Sequence, residues 1–302
     1  MSSDMYVVSG ATSRTGSIVA DALLKRGVRV RVLGRNAQRL QHFVGRGAEA
    51  FELDPLDPVA TLQAYSGAKR AFIMLQPNYI PDCPNFRAFQ DQLIYAVGNA
   101  VEKAGVEQVV SLSSWGADKQ GYTGPVVGLH LLEQRLNRIP ALDAIHLRAG
   151  YFMENLFSQI PAVKTRNELS APFLPTVPLP LVTTADIGSR TAEALINFGT
   201  GKTCILELWG PGAFTMNEVA AVIGEAVSKP GLTYVQESLD TFRRGLLASR
   251  CSENVAELMI EVVVGINSGH ISTVQAPLPD DGSMTSLASF VKTRWLPFVQ
   301  RL

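Results

Sequence analysis

The sequence predicts an α/β protein in which a doubly wound parallel sheet carries a smaller, mostly helical C-terminal lobe. Three observations lead there. Short runs rich in valine and isoleucine alternate with longer segments of helical period as far as residue 150. Those runs are apolar throughout, or nearly so, as strands covered on both faces must be. A glycine-bearing turn follows the first run and opens the first helical segment.

In chain order, Tyr6–Ser9, Arg29–Leu33, Glu49–Leu53, Ala71–Leu75, Gln108–Leu112 and Ala144–Leu147 read as strands. Thr15–Arg26, Ala37–Gly45, Pro58–Tyr65, Phe86–Ala104 and Val127–Asn137 read as the helices between them. Asn36 is placed as an N-cap, and Gly27 and Gly105 as helix stops. Strand–helix alternation implies right-handed crossovers and a parallel sheet, whose ligands lie beyond the strand carboxyl ends. The loops after Ser9, Leu33, Leu53, Leu75, Leu112 and Leu147 are therefore the ones that can carry a site.

After Gly150 the pattern loosens. The proline-rich stretch APFLPTVPLPLV (Ala171–Val182) reads as extended and turn-rich. Ala185–Phe198, Thr215–Val227 (with Thr215 as cap) and Ser252–Asn267 return to helical period. Residues 1–150 are expected to form the sheet domain and 151–302 a smaller substrate lobe closing a shared cleft.

The bulk properties exclude several classes. With 27 basic and 27 acidic side chains, the chain has no net field to draw nucleic acid or an anionic membrane. Three cysteines, Cys83, Cys204 and Cys251, are widely separated, which suggests neither pairing nor metal spacing and fits a reduced, cytoplasmic setting. MSSDMYVVSG has no basic region followed by an apolar one, so no secretory signal is expected. No apolar run reaches the roughly 18 residues of a membrane span.

The first turn, SGATSRTG, holds Gly10 after the strand and Gly16 at the helix start. Glycine at the first position permits the tight turn; at the last it lets helix and sheet approach closely. The intervening amides and the helix amino end favour an anion, as in dinucleotide binding. Ser13 stands where a further glycine would expose the bare backbone. Its hydroxyl can donate to a phosphate or cap the helix, and the two roles are compatible. At the end of the second strand an NAD-selective site would carry a carboxylate about 20 residues on. Here Gly34 occupies that place and Arg35 follows, which suits a 2′-phosphate and hence NADP(H); a solvated loop arginine is the plainer alternative. Arg14 is a second cation for the same phosphate and Arg39 a weaker one. Asp54, in ELDP, is placed to accept from the adenine amino group or simply to close a turn.

Together VSGATSRTGSIVADALLKRG, VRVLGRNAQRL, HLLEQRL, IHLRAGYFMENL and SENVAELMIEVVVGINSGHI resemble the NmrA-like family of atypical short-chain dehydrogenases, most of all its quinone-reductase-like members. The resemblance runs over essentially the whole chain. It implies a Rossmann domain with a C-terminal substrate lobe and NADP(H) as ligand. By position, Gly10, Thr12, Ser13, Arg14, Thr15 and Gly16 would line the pyrophosphate and Arg35 would meet the 2′-phosphate. Leu75, Gln76 and Pro77 would border the adenosine and nicotinamide ribose. Tyr151, Phe152 and Asn155 would face the nicotinamide or substrate. Ser13 departs from the family's usual G-x-x-G-x-x-G and puts cofactor affinity, rather than fold, at issue.

Ordinary short-chain dehydrogenases pair a tyrosine with a lysine four residues later, and this pair is absent: Tyr122 is followed at that distance by Val126. The strand-end serines are present as Ser113 and Ser114. His130 falls near the lysine's usual place and is a candidate proton donor or ribose ligand, or a helix histidine bonded to backbone; Tyr122 is a candidate acid in a loop. His42, His146 and His270 show no ligand spacing, so no metal is proposed. Cys83 is read as incidental, and the tryptophans Trp115, Trp209 and Trp295 as packing groups. Met153, Met216, Met259, Phe152 and Phe157 are pocket walls or core. Two readings follow. One is an NADPH-dependent reductase of a small quinone-like or aromatic acceptor, which needs little acid assistance because its charge is delocalised. The other is a non-catalytic NADP(H)-sensing regulator acting through a protein partner. A third, isomerisation or dehydration on the same scaffold, would leave the cofactor without net oxidation.

Overall fold

A computed structural model describes residues 4–75, 82–199, 203–275 and 282–301. The elements run β1 (Met5–Val8), α1 (Arg14–Lys25), β2 (Arg29–Gly34), α2 (Ala37–Val44), β3 (Glu49–Glu52), α3 (Pro58–Tyr65), β4 (Ala68–Met74), α4 (Phe86–Ala104), β5 (Gln108–Ser114), α5 (Val126–Asn137) and β6 (Asp143–Ala149). There follow β7 (Tyr151–Phe152), a 3-10 turn over Met153–Gln159, α6 (Ile160–Arg166), β8 (Glu168–Ala171), β9 (Leu179–Val182), α7 (Thr184–Ile196) and β10 (Cys204–Leu208). The chain closes with β11 (Ala213–Phe214), α8 (Met216–Ala226), β12 (Thr233–Gln236), α9 (Leu239–Ala248), α10 (Glu253–Asn267), α11 (Leu287–Phe290), a π-turn over Val291–Trp295 and α12 (Leu296–Arg301).

The main sheet has seven strands in the order β10-β6-β5-β4-β1-β2-β3, every neighbouring pair parallel. Strand order reverses between β1 and β4, so their carboxyl ends diverge and leave the crevice that such sheets offer to ligands. The fold is the doubly wound α/β architecture expected. Two apolar layers hold it. One, around Val8, Val19, Leu23 and Leu40, packs α1, α2 and α7 on one face. The other, around Val7, Ile73, Val101 and Leu136, packs α3, α4 and α5 on the opposite face. Each such fully buried side chain contributes roughly 1.5–3 kcal/mol.

The chain after Gly150 does not stay in one place. α7 and β10 return to the sheet domain, with Cys204–Leu208 in register against Ile145–Ala149 of β6. A Cβ at Gly188 would come within 2.7 Å of Ile18, so α7 lies close along α1. The remainder forms the lobe, mostly helical as expected, with the short strands β7, β8, β9, β11 and β12. Its core gathers Met153, Leu156, Ile160, Met216, Ile223, Phe290 and Trp295, and the Trp295 indole donates to the Leu156 carbonyl at 3.0 Å. Met153, Met216, Trp115 and Trp295 are thus packing groups. Cys83 is buried beside Phe86 and Leu258. The expected caps form: Asn36 accepts from Arg39, Thr215 and Glu218 make a reciprocal capping box, and Gly105 ends α4 with φ 66°. Among the described residues no helix is long and apolar enough to cross a membrane.

Between β5, β6 and α5 lies a buried polar layer. Ser113 stands opposite Arg148 and Ser111 opposite His146 in register, while Glu207 of β10 faces Arg148 from the other side. Alternation along each strand puts all of these on the one face that α5 covers.

Candidate functional site

The glycine turn sits at the diverging end of β1. Gly10 has φ 60°, and its carbonyl accepts from the Ser13 amide at 2.8 Å, closing the turn. A Cβ at Gly16 would lie 2.2 Å from the Gly10 carbonyl oxygen, so only glycine allows α1 to begin this close to the loop. Ser13 has φ −79° and ψ 165°, ordinary extended backbone, and its hydroxyl oxygen accepts from the Gly16 amide at 3.0 Å. It is the N-cap of α1. A glycine is not needed there, which explains how the departure from three glycines is accommodated. As the first two residues of α1, Arg14 and Thr15 have amides with no acceptor within the helix, and these face the crevice end.

Met74, at the end of β4, lies across this turn. Its sulfur accepts from the Ser13 hydroxyl at 3.4 Å and would be 2.7 Å from a Cβ on Gly10. A small pocket of about 40 Å³ opens on one side of it, walled by Leu33, Leu53, Pro55, Tyr65, Met74 and Leu75. Burial pushes the Tyr65 phenol well above its usual range, against the opposing pull of its hydrogen bond to Ser9, so it stays neutral. Arg35 is exposed at the end of β2, beyond Gly34. Asp54 accepts from the Leu56 amide at 3.0 Å, as a turn aspartate does. Leu75 lines both cavities, whereas Gln76 and Pro77 lie outside the described residues.

On the other side of Met74 a cleft of about 620 Å³ runs from Ser13, Arg14 and Thr15 to the lobe. Phe86 and Gln90 of α4, Pro125, Val126 and Leu129 beside and on α5, and Phe152 of β7 give it mostly apolar walls. The Gln90 carboxamide donates to the Pro125 carbonyl at 2.9 Å and fills the space where Gly128 lacks a side chain. Ser113 and Ser114 lie at the β5 end of the cleft.

The Ser113 hydroxyl donates to Glu133 at 2.5 Å, and Glu133 also receives both Nε (3.0 Å) and Nη2 (2.6 Å) of Arg148. Burial works against the Arg148 charge, but the hydrogen bond and charge of Glu133 outweigh it and hold the guanidinium above its ordinary pKa. With its proton committed to Glu133, Ser113 has only oxygen lone pairs left to offer the cleft. Beyond it, Ser111 donates to His146 Nδ1 at 2.7 Å, and His146 Nε2 donates to Asn137 at 2.8 Å. Burial depresses the His146 pKa.

On the lobe side, the Glu154 carboxylate receives the Thr184 amide at 2.9 and 3.1 Å and the Thr184 hydroxyl at 2.5 Å. Both residues line the cleft, with Asn155 beside them. Tyr151 is not in its wall. Residues 151 and 152 point to opposite faces of β7, so Phe152 faces the cleft while the Tyr151 ring packs edge-on against Phe173 at 5.6 Å. Burial raises the Tyr151 phenol to about 12, partly countered by a hydrogen bond with Asn155.

Of the three candidate catalytic residues, the structure brings only Ser113 to the cleft. His130 is one position past Leu129 on α5, about 100° around the helix, and its Nδ1–H donates to the Ala117 carbonyl at 2.9 Å. Tyr122 has φ 58°, is 80 % exposed, and lies edge-on to His270 rather than in the cleft. Arg14 does not reach toward Arg35: its guanidinium sits 5.7 Å from the Phe157 ring centroid, on the lobe side. Sequence reasoning missed Met74, Gln90, Leu129, Glu154 and Thr184. Glu154 lay inside the quoted FMENL run, and Gly128 on α5 was the one local sign that something packs closely there.

The sequence matches the NmrA-like family over residues 2–278, and the chain belongs to that family. A comparison with curated protein sequences found no match. Among solved structures, the chain is similar to an NADPH-dependent quinone oxidoreductase, QOR2, of Escherichia coli complexed with NADPH. There the TM-score is 0.80 at 21% identity, covering 96% of this chain and 99% of that one. It is similar as well to the triphenylmethane reductase of Citrobacter sp. complexed with NADP(H), with TM-score 0.80, 19% identity and coverage of 96% and 99%. A third similar structure is NmrA, a negative transcriptional regulator, in complex with NADP, with TM-score 0.76, 15% identity and coverage of 99% and 97%.

Proposed function

We propose that this member of the NmrA-like family binds NADP(H) and reduces a small, aromatic or quinone-like acceptor. The observation that carries the reading is the cleft itself: one continuous space joins the glycine turn to an apolar chamber between Leu129 and Phe152. A dinucleotide laid over the turn would place its nicotinamide in that chamber, beside the acceptor. The residues fit such a ligand. Gly10 and Gly16 permit the turn, and Ser13, Arg14 and Thr15 bring amides and a hydroxyl to it. Gly34 removes the carboxylate an NAD-selective site would carry at that position, the neighbouring Glu52 carboxylate is engaged by the Ala37 amide at 3.2 Å, and Arg35 can meet a 2′-phosphate. Among the described residues, Met74 lies across that path, and its unbranched thioether can rotate aside.

When bound, the reduced nicotinamide supplies a hydride. The chain's own part is to hold an apolar acceptor at the right distance and to exclude water, which Phe86, Leu129 and Phe152 do. Ser113 accepts a hydrogen bond from the amide of the nicotinamide carboxamide, its geometry set by Glu133 and Arg148. Support also comes from the two similar reductases, named for an NADPH-dependent quinone reaction and a triphenylmethane reaction.

The second reading is an NADP(H)-responsive regulator. It is favoured by the commitment of the Ser113 proton to Glu133, by the position of Tyr122 and His130 outside the cleft, and by the likeness to NmrA. Following the nicotinamide absorbance with a panel of quinones separates the two: the reductase consumes NADPH, while the regulator binds it without turnover on any acceptor. Arg35→Ala tests the cofactor. It should weaken NADPH about tenfold or more and leave NADH unchanged, given the strength of charge-assisted hydrogen bonds. Equal weakening of both, or of neither, would remove Arg35 from the site.

A further inference from the structure

A second cavity, about 450 Å³, opens on the far side of the Glu154–Thr184 contact. It lies between the first turn of α1, the start of α7 and the C-terminal helices, away from the sheet's crevice. Its volume is within the range of small-molecule sites. Two arginines line it, Arg14 from α1 and Arg294 from the π-turn. Among the described residues neither has a carboxylate partner: Arg14 lies over the Phe157 ring, and Arg294 is exposed.

The acids nearby are already engaged. Glu154 is filled by the amide and hydroxyl of Thr184, and Asp186 by the amide and hydroxyl of Thr285, each at 3.0 Å. The half-buried Phe157, packed on the buried Phe290 with centroids 5.7 Å apart, and Ile18 give the same space apolar lining, and Ser289 and Thr293 add hydroxyls. A flat apolar body would pack against Phe157 and Ile18, and an acid group attached to it would meet the guanidiniums, whose forked donors match a carboxylate.

We propose that this cavity is a second ligand site, selective for a small aromatic carboxylate held between Arg14 and Arg294. The site stands apart from the cofactor reading, since Arg294, Phe290 and Ser289 take no part in the glycine turn. It shares Arg14, Glu154 and Thr184 with the acceptor cleft, so its occupant would back directly onto that cleft. Because both arginines are exposed, binding should weaken as salt is raised.

The test is calorimetric titration of the full chain, with and without saturating NADP+, using 2-naphthoate and its neutral counterpart 2-naphthamide at low salt. One naphthoate should bind per chain in both conditions, with naphthamide at least about tenfold weaker. Arg294→Gln should cut naphthoate affinity about tenfold, leave naphthamide unchanged, and leave NADP+ affinity unchanged, the last two also reporting an intact fold. The proposal is overturned if Arg294→Gln binds naphthoate as well as wild type, if acid and amide bind alike, if NADP+ displaces naphthoate, or if millimolar naphthoate gives no heat. A protein that fails to bind NADP+ but takes naphthoate in an Arg294-dependent way would sink the cofactor reading and sustain this one.

Discussion

The two ends of the main cleft are built in different ways. At the glycine-turn end, the conformation is set by neighbours in sequence: Gly10, Ser13 and Gly16 lie within seven residues, and their hydrogen bonds close on one another. At the lobe end, each wall comes from a different segment: Gln90 from α4, Leu129 from α5, Phe152 and Glu154 from the start of the lobe, and Thr184 from α7. Beneath that end runs the buried row Ser113–Glu133–Arg148, which joins α5 to two strands. A site edge made of local turns tolerates little change at one or two positions. An edge assembled from distant segments depends on a shared polar anchor beneath it.

The anchor should therefore be the most sensitive point. Glu133→Ala leaves Arg148 buried without its carboxylate and should cost about 3–5 kcal/mol, read from urea unfolding. A cost under about 1 kcal/mol would show that the lobe end does not rest on this pair. At the other end, Gly16→Ala drives a methyl against the Gly10 carbonyl and should cost roughly 1–3 kcal/mol while abolishing dinucleotide binding. Retained affinity in isothermal titration would mean that the turn can open without loss.

The same polar layer should also make stability depend on pH. His146 is buried neutral with a depressed pKa, so below the ordinary histidine value of about 6.5 the unfolded chain binds more protons than the folded one. Its contribution is fully present above that value and declines as pH falls toward the folded pKa, with a slope of at most about 1.4 kcal/mol per pH unit. Replacing His146 by Gln should flatten this limb of the stability–pH curve; an unchanged limb would assign it to other groups. The smallest effect belongs to the cap. Ser13→Ala should cost about 0.5–2 kcal/mol and Ser13→Gly only a few tenths, because the position has negative φ and gains nothing from glycine. A Ser13→Gly variant clearly more stable than wild type would contradict the cap.

Much of the sheet domain was legible before any coordinates. α3 and α4 begin and end where the helical period does, because Asp57 and Asn85 cap them and Gly105 stops the latter. β5 and β6 run two residues past their apolar stretches, since Ser113, Ser114 and Arg148 are polar residues that belong inside the sheet. β4 likewise starts at Ala68 rather than Ala71, because the polar Arg70 stays in the strand while its guanidinium reaches the last carbonyls of α7 at Leu195 and Ile196. β10 went unread: Glu207 interrupts its apolar run, and its bonds to the amides of Val274 and Gln275, both 2.8 Å, together with the Arg148 charge facing it, explain a carboxylate there. In the site, the glycine turn was readable and the proton-bearing candidates were not. His130 missed the cleft by one helical position, and Glu154 gave no sign that it would meet Thr184, thirty residues away.

What the chain's order of residues settled alone is the alternation of strand and helix, the tight turn at Gly10 and Gly16, and the missing carboxylate at Gly34, because each follows from backbone sterics or from hydrogen bonds spanning a few positions. Which face of α5 meets the cleft, where Arg14 points, and that Ser113 gives its proton to Glu133 were decided by the packed fold. Those outcomes depend on burial and on partners far away in sequence, whose electrostatic and packing energies exist only once the segments have come together.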